Sequence, residues 1–284
     1  MDGDLYIELL IKCLVGYLYP ESSYLEIRPY RAMGAMKKAL LGGLNKRGYK
    51  MYKVRPFDAA SREIGADWPS IGYSMVGLNR LNHLRQCVET VLEDNVQGDL
   101  IETGVCRGGA CILMRAVLEV HDVRDRSVWL ADSFEGLPAP SLKEDAGYDL
   151  SQNAYLAVSV EDVKAAFDRF GLLDDQVKFL QGWFKNTLPT AAIGRLAILR
   201  MDGDLYESTR DVLEYLYDKV SPRGFVIVDD YGAWPPCKRA VDEFRSRRGI
   251  IDPIQNIDGT GAFRRKAEHS SESSLCGLAH VSSD

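Results

Sequence analysis

Acidic side chains end two of the predicted strands of this chain. Asp202 lies at the end of the run Leu196–Gly203, and Asp229 and Asp230 end the run Gly224–Asp230. If these strands are neighbours in a parallel sheet, the three carboxylates converge at one edge. Such carboxylates repel one another unless a cation lies among them, and an all-oxygen ligand set favours Mg²⁺. The pattern therefore indicates a magnesium site where a nearby Asp could take a proton from a hydroxyl, although loop acids at strand ends would give the same pattern.

A glycine-rich turn follows the first predicted strand, Asp99–Gly104. It reads Glu102-Thr-Gly-Val-Cys-Arg-Gly-Gly109 and opens a helix, whose first N–H groups favour an anionic group. The pattern is ExGxxxG, which differs from the GxGxxG of dinucleotide sites. An acid at the first position suits an amino-bearing ligand, and S-adenosylmethionine has both an amino group and a sulfonium. A tight turn without a ligand is the alternative.

The next two predicted strands also end in polar residues. The run Ser127–Ser133 contains Asp132 near its end, where a carboxylate can accept hydrogen bonds from both ribose hydroxyls of an adenosine. Capping of the following turn is the alternative, and Ser133 could cap while Asp132 binds. The run Val177–Gly182 ends in Gln181-Gly182-Trp183, where an amide and a flat ring could border an adenine.

Five strand–helix units and a final hairpin are predicted to position these residues. The hairpin pairs Asp252–Asp258 with Gly261–Lys266 through Gly259-Thr260. This order predicts an α/β fold with a Rossmann-like, doubly wound, mostly parallel seven-stranded sheet and an antiparallel edge hairpin. The helices between the strands are predicted at Gly109–His121, Val160–Phe170, Tyr206–Val220 and Pro236–Arg248.

Three regions follow from the pattern along the chain: an N-terminal helical cap at 1–70, the main domain at 71–266 and a disordered Ser-rich tail at 267–284. The run Leu5–Tyr19 predicts an amphipathic helix that packs on the main domain or on a second subunit. The block Arg28–Arg55 contains nine basic residues and no acidic one. It is interpreted as a solvated arm over the active site, or as a cap that contacts an anionic membrane surface or a glycolipid.

Composition excludes several classes of protein. The 284 residues are 46% hydrophobic and 27% charged, which is typical of a globular protein. The net charge of −6 argues against bulk nucleic-acid binding. Six cysteines without a CxxC predict reduced thiols in a cytoplasmic protein, and four histidines without metal-ligand spacing argue against zinc. The N-terminal apolar run is too short and too charged to span a bilayer.

Several long motifs resemble the macrocin O-methyltransferase (TylF) family. The resemblance extends from about Asp67 to Arg265. It implies a class I methyltransferase fold, S-adenosylmethionine as methyl donor, Mg²⁺ dependence and methyl transfer to a sugar hydroxyl of a glycosylated natural product. The stretches that carry it begin at Asp99, Trp129, Arg169, Leu199 and Gly224, with Trp68–Gly77 and Arg80-Leu81 upstream.

The resemblance also implies roles for individual residues. Asp202, Asp229 and Asp230 would hold the metal, and Asp202 would double as the general base. Two features depart from the family pattern: Cys106 stands where a Trp is common, and the Arg28–Arg55 block resembles an insertion. The implied cofactor contacts are Ser74, Met75, Glu102, Thr103, Gly104, Val105, Cys106, Asp132, Ser133, Phe134, Gly136, Ser159, Gln181 and Gly182.

Other functions remain open at this point. The same metal site could bind the two oxygens of a catechol, so a phenolic acceptor is the second enzyme hypothesis. A non-catalytic methyltransferase-like assembly module is the third, although such a module has no reason to keep three clustered acids. An NAD-dependent dehydrogenase is disfavoured by the glycine-loop pattern. The protein is expected to form a homo-oligomer and to bind a small glycosylated acceptor.

Overall fold

The computed structural model describes residues 3–20, 22–27 and 34–268, and for residues 23–26 it describes the backbone alone. The predicted tail therefore lies mostly outside the described residues. The strands are β1 Ser23–Glu26, β2 Tyr52–Arg55, β3 Asp99–Thr103, β4 Val128–Asp132, β5 Val177–Gln181, β6 Leu196–Met201, β7 Val220–Val228, β8 Gln255–Asn256 and β9 Ala262–Arg265. The α-helices are α1 Gly3–Leu14, α2 Ala35–Lys46, α3 Ala59–Glu63, α4 Leu78–Glu93, α5 Gly109–Val120, α6 Val160–Arg169, α7 Phe184–Thr187, α8 Tyr206–Leu216 and α9 Pro235–Arg247.

The main sheet has seven strands in the order β5-β4-β3-β6-β7-β9-β8. The first five of these are parallel, whereas β9 is antiparallel to both β7 and β8. The chain adds β4 and β5 on one side of β3 and then adds β6 and β7 on the other side. The direction of winding thus reverses between β3 and β6, which is where ligands bind in open α/β sheets. The predicted fold class is confirmed.

Two apolar layers cover the sheet. Helices α1, α4, α5 and α6 contribute to one buried cluster, and α8 and α9 contribute to the other. Strand β6 lies between the two layers, and all six of its residues are buried. Arg200, the fifth residue of this strand, is charged and buried, so its guanidinium needs partners within the protein.

The N-terminal region is partly different from its prediction. Helix α1 packs against α4 and α5 through Ile7, Leu10, Ile11 and Leu14, as an amphipathic helix on the main domain should. The region is not wholly helical, however, because β1 and β2 form a separate antiparallel pair. The basic side chains from Lys37 to Arg55 are exposed, while Arg28 and Arg31 lie outside the described residues.

Two other differences concern single elements. Helix α4, sixteen residues long, was not predicted, although its buried residues repeat at helical spacing. The predicted strand from Asp252 shortens to β8 because Pro253 has no N–H to donate to a ladder. The described cysteines are free thiols, as predicted for Cys13, Cys87, Cys106, Cys111 and Cys237. Among the helices described, none combines the length and apolar character needed to cross a membrane.

Candidate functional site

A cavity of about 480 Å³ opens at the carboxyl ends of β3, β4, β6 and β7. Its volume is within the usual range for small-molecule sites. The glycine loop forms one wall, and the acids that follow β6 and β7 form the floor. The segment between β4 and α6 contributes a further wall through Leu137, Leu150, Tyr155 and Leu156.

The glycine loop is packed directly against the turn that follows β6. Gly104 has φ +88°, and a Cβ there would collide with the carbonyl oxygen of Asp202. Gly108 has a left-handed conformation at φ +83° and is the N-cap residue of α5. Both positions therefore favour glycine, because L side chains rarely adopt a positive φ. Cys106 has a positive φ as well, at +47°, and lines the cavity.

Asp132 holds the turns after two strands together. Its Oδ2 accepts the Val105 N–H at 2.6 Å, and its Oδ1 accepts the Phe134 N–H at 2.7 Å. Burial raises the pKa of this carboxyl, although the backbone donors oppose the shift. The residue also lines the cavity, and a carboxylate can accept several hydrogen bonds at its two oxygens. Asp132 can therefore accept further hydrogen bonds from the hydroxyls of a ligand.

Glu102 is almost fully buried beside the same cavity. Its carboxylate pairs with Arg200 and accepts a hydrogen bond from the Cys111 Sγ at 2.9 Å. Burial raises the pKa of Glu102 to about 7, and the nearby Arg200 opposes the rise. Both oxygens of Glu102 already have protein partners. Glu102 therefore has less capacity than predicted to accept a hydrogen bond from the amino group of a donor.

The acids after β6 and β7 do come together. Oxygen atoms of Asp202, Asp229 and Asp230 lie within 4.8 Å of one another. Strands β6 and β7 are adjacent and parallel, with Met201 opposite Val228, so their next residues share one edge. These three residues form the carboxylate cluster.

Two guanidinium groups supply positive charge to this cluster, which the sequence did not predict. Arg200 pairs with Asp229 and with Asp202, the latter at 2.8 Å. Arg80 on α4 pairs with the other oxygen of Asp229 and binds Asp258 in the hairpin turn at 3.0 Å. The repulsion among the carboxylates was the reason to expect a metal ion, but these two guanidinium groups also offset it. The repulsion alone therefore does not require a metal ion.

Carboxyl groups nevertheless outnumber the guanidinium groups around this cluster. Burial raises the pKa of Asp230 well above its usual value, and the neighbouring carboxylates add to the effect. Its Oδ2 is buried and has no hydrogen-bond partner among the described residues. A buried oxygen without a partner is costly, so a cation beside Asp230 would relieve it. Six carboxyls lie around Arg80 and Arg200: Glu102, Asp202, Asp204, Asp229, Asp230 and Asp258.

Asp204 is a functional candidate that sequence reasoning missed. It lines the cavity two residues after Asp202, in a turn where its φ is +52°. Within the described part of the chain, its carboxylate makes no hydrogen bond or ion pair. Burial raises the pKa of Asp204 to about 7, with Asp202 and Asp229 adding to the rise. The acidic turn Asp202-Gly203-Asp204 was visible in the sequence, but the direction of its second side chain was not.

Asp145 positions this turn from a distance. It is completely buried, and its two oxygens accept the N–H groups of Tyr206 and Glu207 at 2.6 and 3.2 Å. These are the first residues of α8, and Leu205 before them offers no side-chain cap. Asp145 thus caps a helix that begins 61 residues later and ties the β4–α6 segment to the turn that carries Asp202.

A second contact ties the β4–α6 segment to the glycine loop. The Tyr155 hydroxyl donates to the Pro69 carbonyl at 2.8 Å, and its ring stacks on Trp68 with centroids 5.1 Å apart. The Arg107 guanidinium lies 4.3 Å from the same ring and donates to the Gly72 carbonyl at 2.8 Å. This arrangement covers the cavity next to Ser74 and Met75.

The structure divides the predicted cofactor contacts into two groups. Ser159 does not line the cavity, because it caps α6 by accepting the Asp162 N–H at 3.1 Å. Gln181 is exposed at the end of the edge strand β5, and Thr103 is fully buried below the loop. Phe134 and Gly182 also do not line the cavity. The Phe134 N–H donates to the Asp132 carboxylate, and the Gly182 N–H donates to the Asp132 main-chain carbonyl. The predicted residues that do line it are Ser74, Met75, Glu102, Gly104, Val105, Cys106, Asp132, Ser133 and Gly136.

Comparison with known families gives one match over nearly the whole chain. The family model described as macrocin-O-methyltransferase (TylF) matches residues 3–266. Among curated proteins, an "8-demethyl-8-(2,3-dimethoxy-alpha-L-rhamnosyl)-tetracenomycin-C 4'-O-methyltransferase" of Streptomyces olivaceus is 50% identical over 274 residues, which is 95% of each chain. A "demethyldecarbamoylnovobiocin O-methyltransferase" of Streptomyces niveus is 48% identical over 92% of this chain and 93% of its own.

A solved structure agrees with these relatives. The O-methyltransferase NovP superposes with a TM-score of 0.80 at 47% sequence identity, and the match covers 94% of this chain and 100% of the other.

Proposed function

The chain belongs to the macrocin O-methyltransferase family and is an O-methyltransferase, and we propose that it methylates a sugar hydroxyl of a glycosylated natural product with S-adenosylmethionine and Mg²⁺. The observation that carries this proposal is the cavity itself. One wall is a glycine loop closed by Asp132, and the floor is a set of carboxylates with an unpartnered oxygen. Relatives named for tetracenomycin, novobiocin and mycinamicin substrates support the class of acceptor.

The donor would occupy the part of the cavity between Ser74 and Asp132. The carboxylate of Asp132 accepts hydrogen bonds from the ribose hydroxyls, and the main chain from Gly104 to Cys106 lies against the methionine part. Carboxyl groups such as Asp202 line the same cavity, and a carboxylate near the donor suits a sulfonium cation better than an anion. This position places the donor's methyl group toward the carboxylate cluster.

Replacement of Asp132 tests this donor site. We expect Asp132→Ala to weaken S-adenosylmethionine binding by about 1.5–3 kcal/mol, the range for a hydrogen bond to a charged group. That corresponds to an increase of about 10- to 150-fold in Kd, measured by calorimetry. Asp132→Asn retains one acceptor oxygen, so its loss should be smaller.

A matched control for this test is Asp58→Ala. Asp58 likewise accepts a backbone N–H, that of Ser61 at 3.0 Å, but lies outside the cavity. Donor affinity should be unchanged in this variant. If Asp132→Ala and Asp132→Asn also bind the donor like the wild type, Asp132 is not part of the donor site.

The carboxylate cluster fits a hard divalent cation. Asp202 and Asp230 offer oxygens with free lone pairs, and Asp230 has the buried oxygen without a partner. Asp229 is different, because Arg80 and Arg200 each bind one of its oxygens. Asp202 and Asp230 would thus hold the ion most directly, with Asp229 completing the set. When bound, Mg²⁺ makes a nearby hydroxyl more acidic and offsets negative charge that develops on oxygen.

The geometry favours a division of roles within the acidic turn. The resemblance implied that Asp202 is both metal ligand and base, but Arg200 binds its carboxylate. Asp204 has no such partner, faces the same cavity and has a pKa near 7, where a general base works well. We therefore assign proton removal to Asp204 and metal holding to Asp202.

The proposed reaction is an in-line methyl transfer. Asp204 accepts the proton of the sugar hydroxyl, the oxygen attacks the methyl carbon in line with the carbon–sulfur bond, and that bond breaks to leave a neutral thioether. Asp145 and Tyr155 fix the loops that orient the two reactants. Membrane contact through the Arg28–Arg55 block, a homo-oligomer and a cytoplasmic location stay predictions.

A further inference from the structure

Arg80 is a buried cation to which the proposed reaction gives no role. It lies on α4, its side chain is 7% exposed, and its Nη2 donates to the Ile64 carbonyl at 3.3 Å. Burial opposes the charged form, but the carboxylates of Asp229 and Asp258 outweigh it and raise the pKa of this guanidinium. Arg80 is therefore a permanent positive charge, and its removal from water is offset by these two acids.

Arg80 joins the carboxylate cluster to the antiparallel edge of the sheet. Its Nη1 binds Asp229, and its Nε donates to the Asp258 Oδ2 at 3.0 Å. Asp258 is itself buried, and its Oδ1 accepts the Thr260 and Gly261 N–H groups at 3.0 and 2.9 Å. Both oxygens of Asp258 thus have partners, which fix this carboxylate within the hairpin turn between β8 and β9.

The hairpin turn packs closely on Arg80 and on the loop that follows β7. A Cβ on Gly261 would come within 2.8 Å of the Arg80 Cδ. The Gly232 N–H donates to the Thr260 carbonyl at 2.7 Å, and a Cβ on Gly232 would collide with the Gly259 carbonyl oxygen. The hairpin turn, the Arg80 side chain and the loop after the cluster therefore form one packed unit.

Two carboxylates share the positive charge of Arg80. Asp229 pairs with Arg200 as well as with Arg80. Among the described residues, Asp258 forms its ion pair with Arg80. His83 lies near Asp258 as well, but burial lowers the pKa of His83, so it adds little positive charge at neutral pH. Loss of one acid therefore leaves more of the Arg80 charge acting on the other, since both lie within a few ångströms of it.

We propose that Arg80 is a positioning residue that sets the affinity of the carboxylate cluster for its cation, and that Asp258 tunes this effect from the hairpin turn. Arg80 orients Asp229 and offsets part of its charge. The cluster therefore keeps its shape without an ion, and it binds a divalent cation more weakly than three unpaired carboxylates would. This inference rests on the metal site of the proposed function, but it concerns residues that do not hold the ion.

Thermal unfolding of the donor-free protein in EDTA and with increasing Mg²⁺ tests the role of Arg80. An ion that binds only the folded state raises Tm, and the dependence of Tm on its concentration gives an apparent Kd. We expect Arg80→Gln to lower Tm in EDTA, because two acids lose a buried partner, and to lower the Mg²⁺ Kd by at least about fivefold. Asp258→Asn keeps the size of the side chain and should raise the Mg²⁺ Kd by at least about threefold, because Arg80 then acts on Asp229 alone.

The opposite signs of these two shifts separate an electrostatic role from damage to the fold. A purely structural bridge would weaken Mg²⁺ binding in both variants, because both break the same ion pair. Arg80→Lys keeps the charge and should bring the Mg²⁺ Kd back to within about twofold of the wild type. Arg62→Gln is the matched control: Arg62 is also buried and pairs with Asp67 at 2.7 Å, but it does not line the cavity. Its Tm should fall equally with and without Mg²⁺.

The results also separate this inference from the proposed function. If Mg²⁺ stabilises the wild type but its Kd is unchanged in Arg80→Gln, or is raised in both variants, the role of Arg80 fails and the metal site stands. If Mg²⁺ stabilises Arg80→Gln but not the wild type, the role of Arg80 stands and the metal dependence of the reaction fails. If Arg80→Gln does not fold, Asp258→Asn decides alone, and an unchanged or lower Kd there overturns the inference. An absence of any Mg²⁺ effect in all of these proteins overturns both.

Discussion

Asp202→Asn is expected to lower kcat by about 10²-fold or more while the Kd for S-adenosylmethionine stays within about threefold. The substitution removes a negative charge from the proposed metal site and leaves a neutral amide beside Arg200. It keeps the size of the side chain, so the packing of Gly104 against the Asp202 carbonyl is retained. Donor binding should change little, because Asp132 and the glycine loop lie on the other wall.

Stopped-time assays of methyl transfer and donor calorimetry measure the two quantities. Asp99→Asn is the matched control: Asp99 also bridges two groups, the Ser127 N–H and the Trp129 indole N–H, both at 2.8 Å. It lies at the amino end of β3, whereas the cavity is at the carboxyl ends of the strands, so its loss should affect stability without a comparable loss of turnover. Retention of a tenth of wild-type turnover by Asp202→Asn would contradict the assignment.

Asp204→Asn is expected to reduce kcat by about 10²-fold or more without weakening either the donor or Mg²⁺ by more than about threefold. The amide cannot accept the hydroxyl proton. The wild type should also lose activity as the pH falls, because a base is inactive in its protonated form. Since burial and the neighbouring acids raise the pKa of Asp204 to about 7, this loss should begin near neutral pH.

The pH–rate profile distinguishes the base from a metal ligand. In Asp204→Asn the residual activity should lack the decline at low pH, whereas in Asp202→Asn the decline should remain while Mg²⁺ affinity drops. A wild-type-like profile in Asp204→Asn, with at least a tenth of normal kcat, would return the role of base to Asp202.

The convergence of the acids was predictable from the sequence because it depends on strand order alone. Residues that follow adjacent parallel strands share an edge, so Asp202 and Asp229 had to meet once β6 and β7 were neighbours. The turn at Gly104 was predictable for a similar reason, since ExGxxxG after a strand demands positive φ.

Partners that come from distant segments were not predictable in this way. Arg80 reaches Asp229 across 149 residues, and Asp145 reaches Tyr206 across 61. No local spacing relates such pairs, because they depend on how loops fold over the sheet. The same limit applies to two predicted cofactor contacts that do not line the cavity. Ser159 was implied by the family resemblance but caps a helix, and Gln181 was predicted at a strand end but lies on an edge strand.

We propose that this chain transfers a methyl group from S-adenosylmethionine to a sugar hydroxyl in a metal-dependent reaction. The most direct test supplies methyl-labelled donor with an aryl α-L-rhamnoside or with a catechol, in the presence of EDTA and then with excess Mg²⁺. We expect label on the sugar of the glycoside, no transfer in EDTA and recovery with Mg²⁺. Full transfer in the chelated sample, or label on the catechol but not on the glycoside, would contradict it.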